Sequence, residues 1–143
     1  MMKAFFIIIY LTLTFHACVM DKVYSCKIKN SSNDIIQIKL SFDKNFIDSI
    51  YNGNEVKFLS FIRQNIGIDS GVSVRNFDTL NLTVTYQAQP KTFFTLEHGM
   101  SAPNYSFYKT ITIVDHKIIE LHNKQEIDKA FKKIDGNYLL IIE

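Results

Sequence analysis

The chain has 143 residues, 47% of them hydrophobic, with 12 Phe and 7 Tyr, which is enough apolar material for one domain with a real core. Its net charge is only +2, and the basic residues are nearly all Lys, spread along the chain without a block. That balance removes the electrostatic case for a nucleic-acid partner.

Residues 1–18 set the context for the rest. Lys3 is a basic start, and residues 4–15 (AFFIIIYLTLTF) form an uncharged apolar run of twelve. A small residue, Ala17, then precedes Cys18. A basic start, an h-region of roughly 7–15 residues and a small residue at the cut are the parts of a secretory signal. The run falls short of the about 20 apolar residues that a bilayer span needs. Ala17-Cys18 in this setting resembles the bacterial lipoprotein signal, although Phe15 and His16 depart from the branched aliphatic and small residues usual there. The resemblance covers residues 1–18 only. It implies that the Cys18 sulfur receives a diacylglyceryl group, that the first 17 residues are removed, and that two or three acyl chains hold the protein to a bacterial membrane. Two chains suffice for stable anchoring. The implied location is the cell envelope, facing the periplasm or the exterior. The alternatives are an ordinary secretory signal, which makes the protein secreted and leaves Cys18 without a role, and an uncleaved anchor.

Cys18 and Cys26 are the two cysteines. In an oxidising compartment they could pair, but lipidation of Cys18 would forbid it. Cys26 alternates with Tyr24 and Ile28, the pattern of a small buried hydrophobe.

Residues 19–23 read as a tether. Tyr24, Cys26 and Ile28 then alternate with polar residues, as do Ile36, Ile38, Leu40 and Phe42. Turn-forming residues 30–34 lie between them, so residues 24–42 predict a β-hairpin. Asn52-Gly53 is a strong turn pair and predicts a second hairpin joining residues 46–51 to 55–61. Residues 58–62 (FLSFI) are apolar on both faces and fit either a central strand or a short helix. Residues 64–76 read as a loop with a brief strand at 72–74.

Leu80, Leu82, Val84 and Tyr86 alternate in the clearest strand of the chain, which Pro90 ends. Residues 92–97 and 105–114 are further strands, the second rich in aromatic and β-branched residues, with a loop at 99–104. Asp115-His116 predicts a tight turn into 117–121. At Asn123 the period changes. Asn123 with Glu126 forms a capping-box variant, and Ile127, Ala130, Phe131 and Ile134 follow at helical spacing. Gly136 is the expected C-cap. Residues 138–142 (YLLII) read as a final buried strand. The expectation is one β-rich domain over residues 24–143: an antiparallel, immunoglobulin-like β-sandwich with one C-terminal helix. An α+β open sheet packed on that helix is the alternative.

No motif for chemistry stands out. His116, Glu120 and His122 would share a strand face, but the two His would be about 20 Å apart, too far for one metal. His98, beside Glu97, points to the opposite face. No phosphate loop or nucleophile elbow is present. The reading is therefore a non-catalytic protein without cofactor or metal. The triplets beginning at Asn30, Asn81 and Asn104 match the N-glycosylation pattern and would matter only in a eukaryotic secretory route. Phe93, Phe94, Tyr105, Phe107 and Tyr108 form an aromatic-dense region. It is either ordinary core or a patch for a protein or glycan partner. Two functions fit: a membrane-tethered binding or envelope-structural module, or an anchored inhibitor or immunity-type protein that neutralises an enzyme or toxin.

Overall fold

The computed structural model describes residues 23–100 and 102–143, so the leader and Cys18 lie outside it. The elements in order are β1 (Val23–Asn30), β2 (Ile36–Phe42), α1 (Lys44–Tyr51), α2 (Glu55–Asn65), β3 (Val72–Asp78), β4 (Thr83–Ala88) and β5 (Phe93–Met100). A 3-10 turn (Tyr105–Phe107) follows, then β6 (Tyr108–Val114), β7 (Ile118–Leu121), α3 (Lys124–Ala130), β8 (Lys132–Ile134) and β9 (Asn137–Ile142).

The strands form two sheets. The first has the order β5-β1-β9-β8 and the second β3-β4-β2-β6-β7. Period-two alternation builds both. In β1 the residues Tyr24, Cys26, Ile28 and Asn30 are buried, and in β2 Ile36, Ile38, Leu40 and Phe42 are. These inward sets meet in one core, closed between the sheets by Tyr86 and Phe94 at 4.9 Å between ring centroids. Each large apolar side chain taken fully from water contributes about 1.5–3 kcal/mol. The result is a mostly β sandwich. Its strand order does not follow the 1-2-5-4 and 3-6-7 pairing of the immunoglobulin constant type. The second sheet is antiparallel throughout, whereas β1 and β9 run parallel in the first.

The expected hairpin over residues 24–42 does not form. β1 pairs with β5 and β9, and β2 with β4 and β6, so the two strands enter different sheets. Asn30 is the reason. It is buried, and its Nδ2 donates to the carbonyls of Asp34, Ala88 and Gln89 while its Oδ1 accepts from Ser32 N and Oγ. The segment after β1 is thereby held as a crossover rather than a two-stranded turn. The same burial removes Asn30 as a glycan acceptor.

The second expected hairpin is a pair of helices. Asp43 caps α1 through Phe46 N, and Asn54 caps α2 through Lys57 N. Asn52 and Gly53, with φ 49 and 71, make the left-handed turn between them, which serves two helices as well as two strands. The helices bury Ile47, Phe58 and Ile62. Phe58 meets Phe42 edge-on at 5.1 Å.

At the C-terminus Asn123 and Glu126 cap α3 as expected. The helix is shorter than its apolar stripe implies. It stops at Ala130, and Phe131 is its C-cap, buried against Tyr105 at 5.6 Å. Ile134 belongs to β8 and not to the helix. Gly136 is the second residue of an Asp135-Gly136 turn, φ 49 and 83, between β8 and β9, a geometry that demands positive φ at both positions. β9 sits between β1 and β8, but only Ile142 is fully buried and Ile141 is exposed. Among the described residues three α-helices, rather than one, accompany the sheets.

Candidate functional site

The aromatic region does not make one exposed patch. Phe94, Tyr105 and Tyr108 are buried in the core. The Tyr108 hydroxyl donates to Leu96 O at 3.0 Å. Phe107 is half-buried, stacked on Phe61 at 5.6 Å and edge-on to Phe46 at 5.0 Å. Only Phe93 is exposed, at 39%.

Phe93 belongs instead to the outer face of the first sheet. Registers across β5, β1 and β9 place Phe93, Lys29 and Ile141 in one row. The next row is Thr95, Lys27, Leu139 and, on β8, Lys132. The ammonium groups of Lys27 and Lys29 sit 5.6 and 5.8 Å from the Phe93 ring centroid, within cation–π range. Ile134 and Ile141 extend the apolar strip. Asp69 is the acid against this face, 3.5 Å from Lys27. The outer face of the second sheet is polar at its centre, where Gln37, Lys39 and Ser41 on β2 lie beside Gln87, Thr85 and Thr83 on β4, and exposes Val114 and Ile118 toward its β6–β7 edge. A sheet face of Thr, Gln and Ser is at ease in water. The first sheet's outer face alternates Lys with Phe, Leu and Ile. Sequence reasoning missed this face because YLLII reads as a run buried on both sides. Lys132, paired across to Leu139, is the signal that β9 lies near an edge.

The free edge of β5 is covered. Gly67 N donates to Thr95 O at 2.8 Å, and the Asp69 carboxylate accepts from Thr95 N and from Thr95 Oγ1. Gly67 has φ +62, and a Cβ there would lie 2.8 Å from the rings of Phe94 and Tyr86. Only glycine fits this tight contact. The clamped loop forms one wall of an apolar recess of about 290 Å³ between α2 and strands β3 and β4. Ile62, Ile66, Phe77 and Val84 line it, Ile68 and Val74 stand exposed at its rim, and Arg63 and Tyr86 are its polar members.

A larger recess of about 660 Å³ lies at the start of α1, lined by polar residues that include Asp43, Lys44, Asn81 and Lys109. Two of its charges are engaged locally: Lys44 pairs with Asp48 at 2.8 Å, and Asp43 caps its own helix.

Cys26 is fully buried, with its Sγ 3.3 Å from the Tyr105 hydroxyl. Burial pushes its thiol up to about 12, with the Tyr105 hydrogen bond pulling the other way. At neutral pH it is a protonated, unreactive side chain. The histidines stay apart: His116 Nε2 meets Asp34 at 3.0 Å, and His122 meets Glu120 at 3.4 Å. Asp34, Asp115 and His116 gather within 4.8 Å at the surface, with no further ligand converging on them among the described residues.

No family model, curated protein or solved structure matches the chain.

Proposed function

We propose that the protein is a small lipid-anchored envelope protein, tethered through Cys18, and that it acts as a non-catalytic binding module. The observation that carries this reading is Ala17-Cys18 placed directly behind Lys3 and a twelve-residue apolar run. Strand β1 includes Val23, five residues after Cys18 in the sequence. Five residues reach about 17 Å when fully extended. β1, the tethered strand, is therefore held close to the membrane. It also supplies Lys27 and Lys29 to the apolar and basic face of the first sheet. That face fits a partner protein with acidic groups around an apolar centre, because each lysine then finds an opposite charge at the rim while Phe93, Leu139 and Ile141 are covered.

Metabolic labelling with a palmitate analogue tests the anchor. The wild type takes the label and Cys18→Ala does not. Equal labelling of Cys18→Ala overturns the reading.

A further inference from the structure

The two sheets share their ends. Asn30, which closes β1, donates to the carbonyls of Ala88 and Gln89 at the end of β4, and Thr92 O, just before β5, accepts from Asn30 N. Ile36, the first residue of β2, pairs with Ala88. At the opposite end Val23 pairs with Met100. There Phe42 N donates to Leu82 O, and Asp43 N donates to Phe107 O of the 3-10 turn. The chain from Cys18 enters at this second end, because it leads into Val23.

Apolar side chains stand into solvent there. Val23 is 70% exposed, Met100 65% and Leu80, in the turn between β3 and β4, 94%. Lys109, also exposed, lines the polar recess beside Leu80. Exposed apolar residues occur at the far end too, at Ile35, Val114 and Ile118, so exposure alone does not say which end meets what. The tether does. A bilayer of about 40–45 Å with a hydrocarbon core of about 30 Å has headgroup layers of about 5–8 Å. The span of about 17 Å for a fully extended tether therefore leaves Val23 no more than about 12 Å beyond the headgroups.

We propose that this end of the sandwich rests on the bilayer surface, with Val23, Leu80 and Met100 among the lipid headgroups. This placement rests on the Cys18 anchor of the proposed function and adds an orientation to it. Val23 and Met100 belong to the first sheet and Leu80 to the second, so one plane meets all three only where it crosses the end of the sandwich. The acyl chains already hold the molecule at the surface, so the contact forms at the effective concentration that the short tether sets. Aliphatic side chains gain by leaving water, and Lys109 can meet lipid phosphate. β1 then stands upright. Its eight residues rise about 25 Å, which lifts Ile35, Val114 and Ile118 clear of the headgroups and leaves the outer face of the first sheet open to its protein partner.

Methyl NMR of the acylated protein, extracted from membranes into phosphatidylcholine nanodiscs, tests the placement. A nitroxide lipid at headgroup depth should broaden away the methyl signals of Val23, Leu80 and Met100 and spare those of Ile35, Val114 and Ile118. Leu80→Glu combined with Met100→Glu, both at exposed positions, should restore the Val23 signal while the acyl chains keep the protein on the disc. A second sample, the chain from Cys18 onward joined through that thiol to a maleimide lipid, separates the two claims. Cys26 is buried and stays free, and the tether is present whatever the native Cys18 carries. End-selective broadening in that sample supports the docked end even where the native Cys18 proves unmodified. Equal broadening at the two ends, or broadening strongest at Leu139 and Ile141 on the sheet face, overturns it in either sample.

Discussion

Cys26 Sγ lies 3.3 Å from the Tyr105 hydroxyl in the middle of the core, and both groups are held neutral by burial. Tyr24 and Tyr108 are raised for the same first reason. The sign of the consequence follows from proton linkage. A group whose folded pKa lies above its unfolded one keeps its proton more tightly in the folded state. Its contribution is complete below the unfolded value and is lost as pH rises toward the folded one. For Cys26 that window runs from about 9 to about 12. The urea midpoint should hold steady from pH 7 to 8.5 and fall above pH 9. A midpoint at pH 10 equal to that at pH 7 would show that these groups are not held neutral by the fold. Iodoacetamide at pH 8 should likewise modify Cys26 only after urea unfolds the chain.

Phe131 is buried at the end of α3 and packs on Tyr105. Phe131→Ala should cost about 3–5 kcal/mol, a large share of the about 5–15 kcal/mol of a whole domain. Lys132→Ala, one residue on and exposed, should change stability by no more than about 0.5 kcal/mol. Urea melts of the two variants separate them. Equal, small shifts would mean that α3 does not pack on the core.

Asn30 donates to three carbonyls from two segments and accepts from Ser32. Asn30→Ala leaves buried carbonyls without donors and should cost about 2–4 kcal/mol. Asn81→Ala, exposed and bonded only to Asp78, should cost less than about 1 kcal/mol. Thermal melts showing equal losses would remove Asn30 from its place as the organiser of the crossover.

Two buried tyrosines make a paired comparison. The Tyr108 hydroxyl donates to Leu96 O, whereas the Tyr86 hydroxyl has no partner among the described residues. Tyr108→Phe should cost about 1–2 kcal/mol because it strands a buried carbonyl, and Tyr86→Phe should stay within about 0.5 kcal/mol. A larger loss in Tyr86→Phe would mean that its hydroxyl is bonded in solution.

Local patterns in this chain were easier to read than pairings. The alternations at Tyr24–Cys26–Ile28 and at Ile36–Phe42 became strands, that at Leu80–Tyr86 became one only from Thr83 onward, with Leu80 and Leu82 in the turn before it, and the cap at Asn123 became a helix start. Period two says which face is buried and nothing about the neighbour, so β1 and β2 looked like a hairpin until Asn30 showed where the chain turns. Residues 43–65 misled for a related reason. Asn52-Gly53 supports a left-handed turn between any two elements, and the caps Asp43 and Asn54 were the signal that those elements are helices. Gly136 was expected as the helix C-cap and instead completes the β8–β9 turn, because Phe131 ends the helix about one turn early. The outer face of the first sheet joins β5, β1, β9 and β8, and the recess joins Arg63, Val74 and Tyr86. Neither could be read before the strand order was known, since their residues are brought together only by tertiary pairing.

The central claim is that Cys18 is the lipid-bearing first residue of the working protein. Mass spectrometry of the N-terminal peptide from membrane-extracted protein tests it most directly. The account predicts a peptide that begins at Cys18 and carries the added mass of a diacylglyceryl group, with or without a further acyl chain. An unmodified Cys18, or a peptide that still begins at Met1, would contradict it.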